Sequence, residues 1–359
     1  KQSMAKRALV AMSGGVDSSV AALLTQRQGY EASGVTLKMF NNYEIGIDES
    51  LCCSLEDVED ARNVAHSLGI PYYVYNFTEE FKENVIDRFV DAYINGRTPN
   101  PCIDCNRFIK FKGLIIRARQ LMFDYVVTGH YAIKEWDDTL GRFLLKKAFD
   151  ETKDQSYVLF SLTQNQLAMT LFPLGGLKKA EVRRVAEENG FINAGKHESQ
   201  DICFVKNNDY AGFIEMYTGK RFDSGSFVDM GDNVIGGHKG IIRYTIGQRR
   251  GLGISSKEPL FVCDIVPKQN KVVLGLESDL FSRTAEASEI NLITCDRIES
   301  AMRVKAKLRY RQKEQPATVF QTSDDRLHIE FDSPQRAITK GQSIVLYDDE
   351  YVVGGGTIV

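Results

Sequence analysis

Two thiols three positions apart, in Asn100-Pro-Cys-Ile-Asp-Cys-Asn106, stand out chemically in this 359-residue chain. A thiolate is a nucleophile, a metal ligand and a redox group. Cys102 and Cys105 alone therefore leave open a redox couple, half a zinc site, an iron–sulfur site or a catalytic centre completed from elsewhere. A zinc ribbon needs a second pair at similar spacing, and none exists: Cys52 and Cys53 are adjacent, and Cys263 and Cys295 lie far along the chain. A thioredoxin-like pair would open a helix directly after a strand, whereas this one follows Asn-Pro after a long helical stretch. A further thiol, Cys203 in Ser199-Gln-Asp-Ile-Cys-Phe-Val205, lies nearly a hundred residues on. Taken alone, it reads as a small buried hydrophobe. Taken with the other two, it completes either a thiol relay or the ligand set of a [4Fe-4S] cluster with one iron left open.

The second chemical signal is Ser13-Gly-Gly-Val-Asp-Ser-Ser19, between an apolar run and a helical pattern. Glycines let backbone approach a ligand, and the helix start offers free N–H groups and partial positive charge to an anion. The stretch has no Walker-type lysine, so a mononucleotide switch or motor is the poorer reading. It resembles the pyrophosphate-binding loop of ATP pyrophosphatases, which adenylate a carbonyl oxygen and release pyrophosphate. Asp17 within an anion cradle is repulsive unless it holds a cation, which assigns it to Mg2+.

These groups need a scaffold. Arg7 to Met12 reads as a strand and Val16 to Arg27 as a helix. The alternation continues with a strand at Ala32 to Phe40, a helix at Leu55 to Leu68, a strand at Pro71 to Asn76, two more helices, and a strand at Tyr125 to Gly129. This predicts an α/β fold: a doubly wound parallel sheet with its ligand at the carboxyl ends of the strands. Trp136 to Lys147 suggests a hairpin, and Gln164 to Gly190 reads as helical. Beyond about Asp209, short β-branched and aromatic runs punctuated by glycine predict two small β domains. The expected division is residues 1–208, 209–282 and 283–359, the last barrel-like.

Seven cysteines, an odd and scattered number, do not make a secreted disulfide framework, and the first residues lack a signal peptide's apolar stretch. Lys1-Gln-Ser before Met4 resembles an expression remnant. No apolar run reaches the roughly 18 residues that span a bilayer. A cytoplasmic protein with reduced thiols and no membrane partner is expected. The net charge of -3 neither demands nor forbids nucleic acid.

Along almost its whole length the chain resembles the tRNA-specific 2-thiouridylases. The resemblance rests on SGGVDSS, CCSLEDVEDAR, GRTPNPC..CN.FIKF, TGHYA, KDQSYVL, ICF, YTIGQRRGLG, RYRQ and GGGTIV, occurring in one order. It implies an enzyme that uses ATP to adenylate the C2 oxygen of the wobble uridine (position 34) of tRNA, then replaces that oxygen with sulfur to give 2-thiouridine. The chemistry is coherent, because a carbonyl oxygen leaves only after activation. Residue by residue, it assigns ATP binding to Ala11, Met12, Ser13, Gly14, Gly15, Val16, Asp17, Ser18, Leu37 and Gly129. Cys203 carries the incoming persulfide, and Cys105 is the partner thiol and catalytic nucleophile. Asn100, Pro101, Cys102, His130, Lys153, Asp154, Gln155, Arg309, Tyr310 and Gln342 touch tRNA or frame the target base. A cysteine desulfurase or sulfur relay protein is the implied persulfide donor.

The chain departs from the family at two points. Many relatives carry an aspartate where this chain has Cys102, so a carboxylate base is absent there and the thiol is an accessory group or cluster ligand. KHESQDICF also replaces the commoner DSTGICF. Independently, residues 303 to 313 place a basic side chain at every odd position. On a strand this puts six charges on one face, either a blunted sheet edge or a phosphate-tracking surface. Arg107 to Arg119 is a second basic stretch, beside the cysteines. The rival readings are another ATP pyrophosphatase, such as an amidotransferase or ligase, and a non-catalytic ATP- or cluster-binding RNA module.

Overall fold

The computed structural model describes residues 5–40, 55–196 and 202–359. Cys52, Cys53, the first residues and the segment from His197 to Asp201 lie outside them.

Short apolar runs alternating with helices build the expected parallel sheet. β1 (Arg7–Ala11), β2 (Glu31–Lys38), β3 (Tyr72–Asn76) and β4 (Tyr125–Val127) alternate with α1 (Val16–Arg27), α2 (Leu55–Ser67), α3 (Thr78–Phe81), α4 (Asp87–Ile94), α5 (Pro101–Asp104) and α6 (Leu114–Gln120). π-helical turns at Lys82–Ile86 and Cys105–Gly113 join α3 to α4 and α5 to α6. With the short β7 (Thr170–Leu171), the strand order is β3-β2-β1-β4-β7 and every pairing is parallel. The order reverses direction between β1 and β4. A doubly wound sheet opens its ligand crevice at such a switch point, beyond the carboxyl ends of the strands.

Gln164 to Gly190 is not one helix. α8 (Gln164–Ala168) and α9 (Lys179–Glu188) are separated by β7 and by Pro173-Leu-Gly-Gly176, after α7 (Ser156–Leu159). A Cβ on Gly175 would lie 1.9 Å from the Ala132 carbonyl oxygen, a contact that only glycine permits. The hairpin β5 (Ile133–Asp137) and β6 (Arg142–Lys146) forms as read, but it joins the C-terminal sheet, with Lys146 opposite Tyr351.

Residues past Asp209 begin with a helix, α10 (Tyr210–Thr218), rather than a strand. The four-stranded sheet of β8 (Gly225–Val228), β9 (Val234–His238), β10 (Phe261–Val266) and β11 (Lys271–Gly275) follows, in the order β10-β11-β8-β9. β12 (Phe281–Leu292), β13 (Met302–Lys307), β14 (Gln315–Ser323), β15 (Arg326–Arg336), β16 (Ser343–Asp348) and β17 (Tyr351–Ile358) close into a barrel through the β12–β17 pairing. A closed barrel leaves no free edge.

The alternating basic strand is shorter than its charge pattern. β13 stops at Lys307, and Arg309, Arg311 and Lys313 lie in the turn beyond it. Only Arg303, Lys305 and Lys307 therefore share a strand face, opposite buried Val304 and Ala306.

Candidate active site

The phosphate loop leaves β1 at the switch point. Gly14 adopts φ +79°, and a Cβ there would meet the Asp57 carbonyl oxygen at 2.4 Å, so backbone from α2 closes one side of the loop. Gly15 caps α1 without a side-chain bond to the helix start. First-turn N–H groups are thereby left to an anionic ligand. The hydroxyls brace the turn: Ser18 Oγ accepts from Ser13 N at 3.2 Å and donates to Gly15 O at 2.9 Å. Gly129, just past β4, faces the same turn; a Cβ there would lie 2.9 Å from Ser18 N. Met12, Val16 and Leu37 are buried and Ala11 partly so, Met12 and Val16 in one apolar cluster and Leu37 and Ala11 in another. These residues fit a nucleotide triphosphate tail.

Three residues that sequence reasoning missed hold this loop. Lys179 Nζ donates to both carboxylate oxygens of Asp17, at 2.7 and 2.8 Å, and Tyr131 Oη donates to Oδ1 at 2.7 Å. Asn193 Nδ2 donates to Gly14 O and Ser19 Oγ. The counter-charge for Asp17 thus comes from the chain itself, and the repulsion that suggested Mg2+ is already relieved by a lysine. Asp57 and Asp60 are likewise tied at 2.7 Å each by Lys196, at the head of the segment leading to Cys203. As set here, these carboxylates are partnered by lysines.

Asn100 begins α5 by capping, its Oδ1 accepting from Cys102 N at 3.2 Å, and Pro101 occupies the first helical turn. Cys102 on this short helix is exposed, and Cys105, which opens the π-helical turn after it, is buried. Cys105 Sγ lies 3.7 Å from Sδ of Met39, the first residue past β2. The thiol is therefore at the carboxyl edge of the sheet, one strand over from the phosphate loop. Asp104 sits beside Arg88, yet burial outweighs that guanidinium and pushes its carboxyl up to about 6. Cys203 packs half-buried against the apolar core that includes Cys105. The next residue, Phe204, is locked edge-on to Phe81 at 5.8 Å and Phe89 at 5.2 Å. Among the described residues, no three cysteine, histidine or acidic side chains are grouped to hold a metal ion. Cys102, Cys105 and Cys203 do not form such a group.

The residues assigned to tRNA gather mostly at the seam between this domain and the barrel. Gln342 Nε2 donates to Thr98 O at 2.7 Å, and Tyr310 Oη donates to Asp154 O at 3.1 Å. Arg309 Nη2 donates to Ala337 O and Thr339 Oγ1, both at 2.9 Å. Asp154 accepts from the N–H and hydroxyl of Ser156, the first residue of α7, and Gln155 exchanges two bonds with the Tyr131 backbone. Lys153 belongs to the same loop, partly exposed. His130 lies apart from the surface: it is buried, bonded to Thr128 Oγ1 at 2.8 Å, and packed near Phe111 and Phe172. Burial pushes its imidazole well below the usual range and keeps it neutral.

Three stretches of the chain match known families. Residues 6–207 match a family described as the tRNA methyl transferase HUP domain, 211–276 its PRC-barrel domain, and 282–358 an aminomethyltransferase beta-barrel domain. The chain is 52% identical over 355 residues to a protein of Clostridioides difficile named tRNA-specific 2-thiouridylase MnmA, covering 99% of this chain and 98% of that one. It is 53% identical over 354 residues to tRNA-specific 2-thiouridylase MnmA 2 of Caldanaerobacter subterraneus, covering 98% and 97%. A solved 4-thiouridine synthetase in complex with RNA and bound ATP is 20% identical with a TM-score of 0.36, over 56% of this chain and 46% of that one. At that score the structural likeness carries no weight.

Proposed function

The chain belongs to the tRNA-specific 2-thiouridylase family, and from this we propose that it uses ATP to replace the C2 oxygen of the wobble uridine of tRNA with sulfur. The observation that carries the reading is the placement of Cys105 at the carboxyl edge of the sheet, against Met39 and one strand from the phosphate loop. Activation of the C2 oxygen and attack on C2 itself then take place in one crevice without a long transfer.

ATP supplies an adenylyl group that turns the uracil oxygen into part of a leaving AMP, with pyrophosphate departing. The α1 start and Gly14 receive the phosphates, while Lys179 and Tyr131 hold Asp17 so that the helix start keeps its aim. Cys203 accepts a persulfide from a donor such as a cysteine desulfurase or a relay protein. Its outer sulfur attacks C2 as AMP leaves. The Cys105 thiolate then attacks the Cys203 sulfur and releases the 2-thiouridine, leaving a Cys105–Cys203 disulfide for a dithiol reductant to open. Cys102, exposed on the same short helix, is an accessory thiol. The seam formed by Asn100, Pro101, Lys153, Asp154, Gln155, Arg309, Tyr310 and Gln342 is assigned to tRNA, with His130 a packing residue behind it.

No helix among the described residues is long and apolar enough to cross a membrane. The test is nucleoside analysis of tRNA from cells with and without the gene. Loss of 2-thiouridine that wild type restores and Cys203→Ser does not is the expected result; unchanged 2-thiouridine in the deletion would contradict it.

A further inference from the structure

Four charged side chains surround the turn that carries Cys105, and one of them comes from the barrel. Arg88, on α4, lies within ion-pair distance of Asp104, Nε to Oδ2 at 3.4 Å without hydrogen-bond geometry, while its Nη2 donates to the Glu289 carboxylate at 3.1 and 3.2 Å. Arg107, two residues past Cys105, approaches the same Glu289 at 3.8 Å. Glu289 belongs to β12, at a point where its pairing with β17 slips between Ser288 and Asn291. Its φ of +49° lies in the left-handed region, which a non-glycine residue occupies only when the surroundings enforce it. Such bulges re-aim a side chain, and this one aims a carboxylate at the helices of the neighbouring domain. Thr357 Oγ1 donates to it from the barrel side at 3.3 Å.

The next residue on α4 makes the second connection. Phe89 is fully buried and meets Phe204, the neighbour of Cys203, at 5.2 Å. Consecutive residues of one helix thus hold the residue before Cys105 and the residue after Cys203. We propose that Arg88 is a positioning residue that registers the two thiol-bearing segments against the barrel, with Glu289 as the barrel's grip on that register. The inference rests on the pairing of Cys105 with Cys203 proposed above. The side chains of Arg88 and Glu289 are each 38% exposed, so solvent screens the ion pairs and their worth to global stability is small. Their effect is instead on alignment. A lysine at position 88 would keep the charge, but its compact ammonium lacks the rigid planar fork that sets donors toward Asp104 and Glu289 in one fixed geometry.

The test uses the full chain and the equilibrium of the Cys105–Cys203 disulfide against glutathione, mapped by mass spectrometry, which reports how well the two sulfurs are aligned without any turnover. Glu289→Gln and Arg88→Lys are each expected to lower that equilibrium constant and the thiolation rate by about tenfold, with the double variant no worse than either single one. ATP-dependent AMP formation, tRNA affinity and Tm should stay near wild type. A wild-type disulfide equilibrium in Glu289→Gln would overturn the inference while leaving the two-thiol reading intact. So would additive losses, or a loss matched by a fall in Tm. Absence of the disulfide in the wild-type protein would instead remove the two-thiol reading, and the inference with it.

Discussion

Lys179 Nζ lies 2.7 Å from Asp17 Oδ1, joining α9 to the first turn of α1 across 162 residues of sequence. Lys179 is buried and Asp17 partly so, and the pair fixes the helix start that faces the phosphate crevice. Lys179→Met would leave a partly buried carboxylate without its counter-charge. The expected cost is about 1–3 kcal/mol of stability, discounted for Asp17's partial exposure, with a larger fractional loss of ATP affinity. Asp17→Asn in the same chain should recover most of the stability. Thermal denaturation and ATP titration of the single and double variants measure this. Equal Tm for Lys179→Met and wild type would show that the pair does not hold the loop.

Gly14→Ala tests the loop itself. The added methyl would meet backbone of Asp57 at 2.4 Å, and φ +79° is strained for alanine, so the loop must move. Backbone strain of about 1 kcal/mol adds to the steric clash. AMP formation is expected to be abolished while the circular dichroism of the folded chain persists; retained AMP formation would mean that the loop does not contact the nucleotide.

Two basic residues on one strand should behave differently toward RNA. Arg303 is spent on Asp332, with contacts at 2.7 and 2.8 Å, whereas Lys305 is exposed on the same face. Lys305→Ala is expected to shallow the slope of log K against log salt by about 0.7–0.9, one phosphate contact, and Arg303→Ala to leave it nearly unchanged. The reverse order, or no change in either variant, would remove this face from the RNA path.

Lys134 carries a pH signature. Its ammonium donates to Leu167 O at 3.0 Å beside the Phe143 ring, and burial pushes its pKa down to about 8 from 10.5. The folded state loses this proton before the unfolded chain does. The unfolded chain therefore binds more protons between these values, and stability gains from this group as pH rises from about 8 to 10.5. Below pH 8 both states are protonated and the burial penalty is fully present. The Tm of wild type relative to Lys134→Met should accordingly improve across that window; a difference that does not vary with pH would refute the shift.

Much of the site was legible because its parts are local. Ser13 to Ser19 is a contiguous loop, and alternating apolar runs revealed the strands that carry it. The Lys179–Asp17 pair and the Arg88–Glu289 contact join segments with no shared pattern, and Lys179 reads as one more lysine in Leu177-Lys-Lys-Ala180. The break in the supposed helix from Gln164 was signalled by Pro173 and Gly175-Gly176, but the apolar residues on both sides masked it. In the basic strand, buried Leu308 continues the alternation of Val304 and Ala306 past Lys307, so the sequence conceals where pairing ends. The hairpin of β5 and β6 was predicted from its own turn; its union with β17 depends on a strand some two hundred residues away.

The most direct test of ATP-driven thiolation through two thiols is a single turnover with iron-free protein carrying persulfide on Cys203, ATP and tRNA with an unmodified wobble uridine. AMP and 2-thiouridine are quantified together by mass spectrometry. The account predicts equimolar AMP and 2-thiouridine with a Cys105–Cys203 disulfide in the spent enzyme, and no 2-thiouridine from Cys105→Ala or Cys203→Ser. AMP release with no 2-thiouridine until iron and sulfide are restored, or undiminished thiolation by Cys203→Ser, would contradict it.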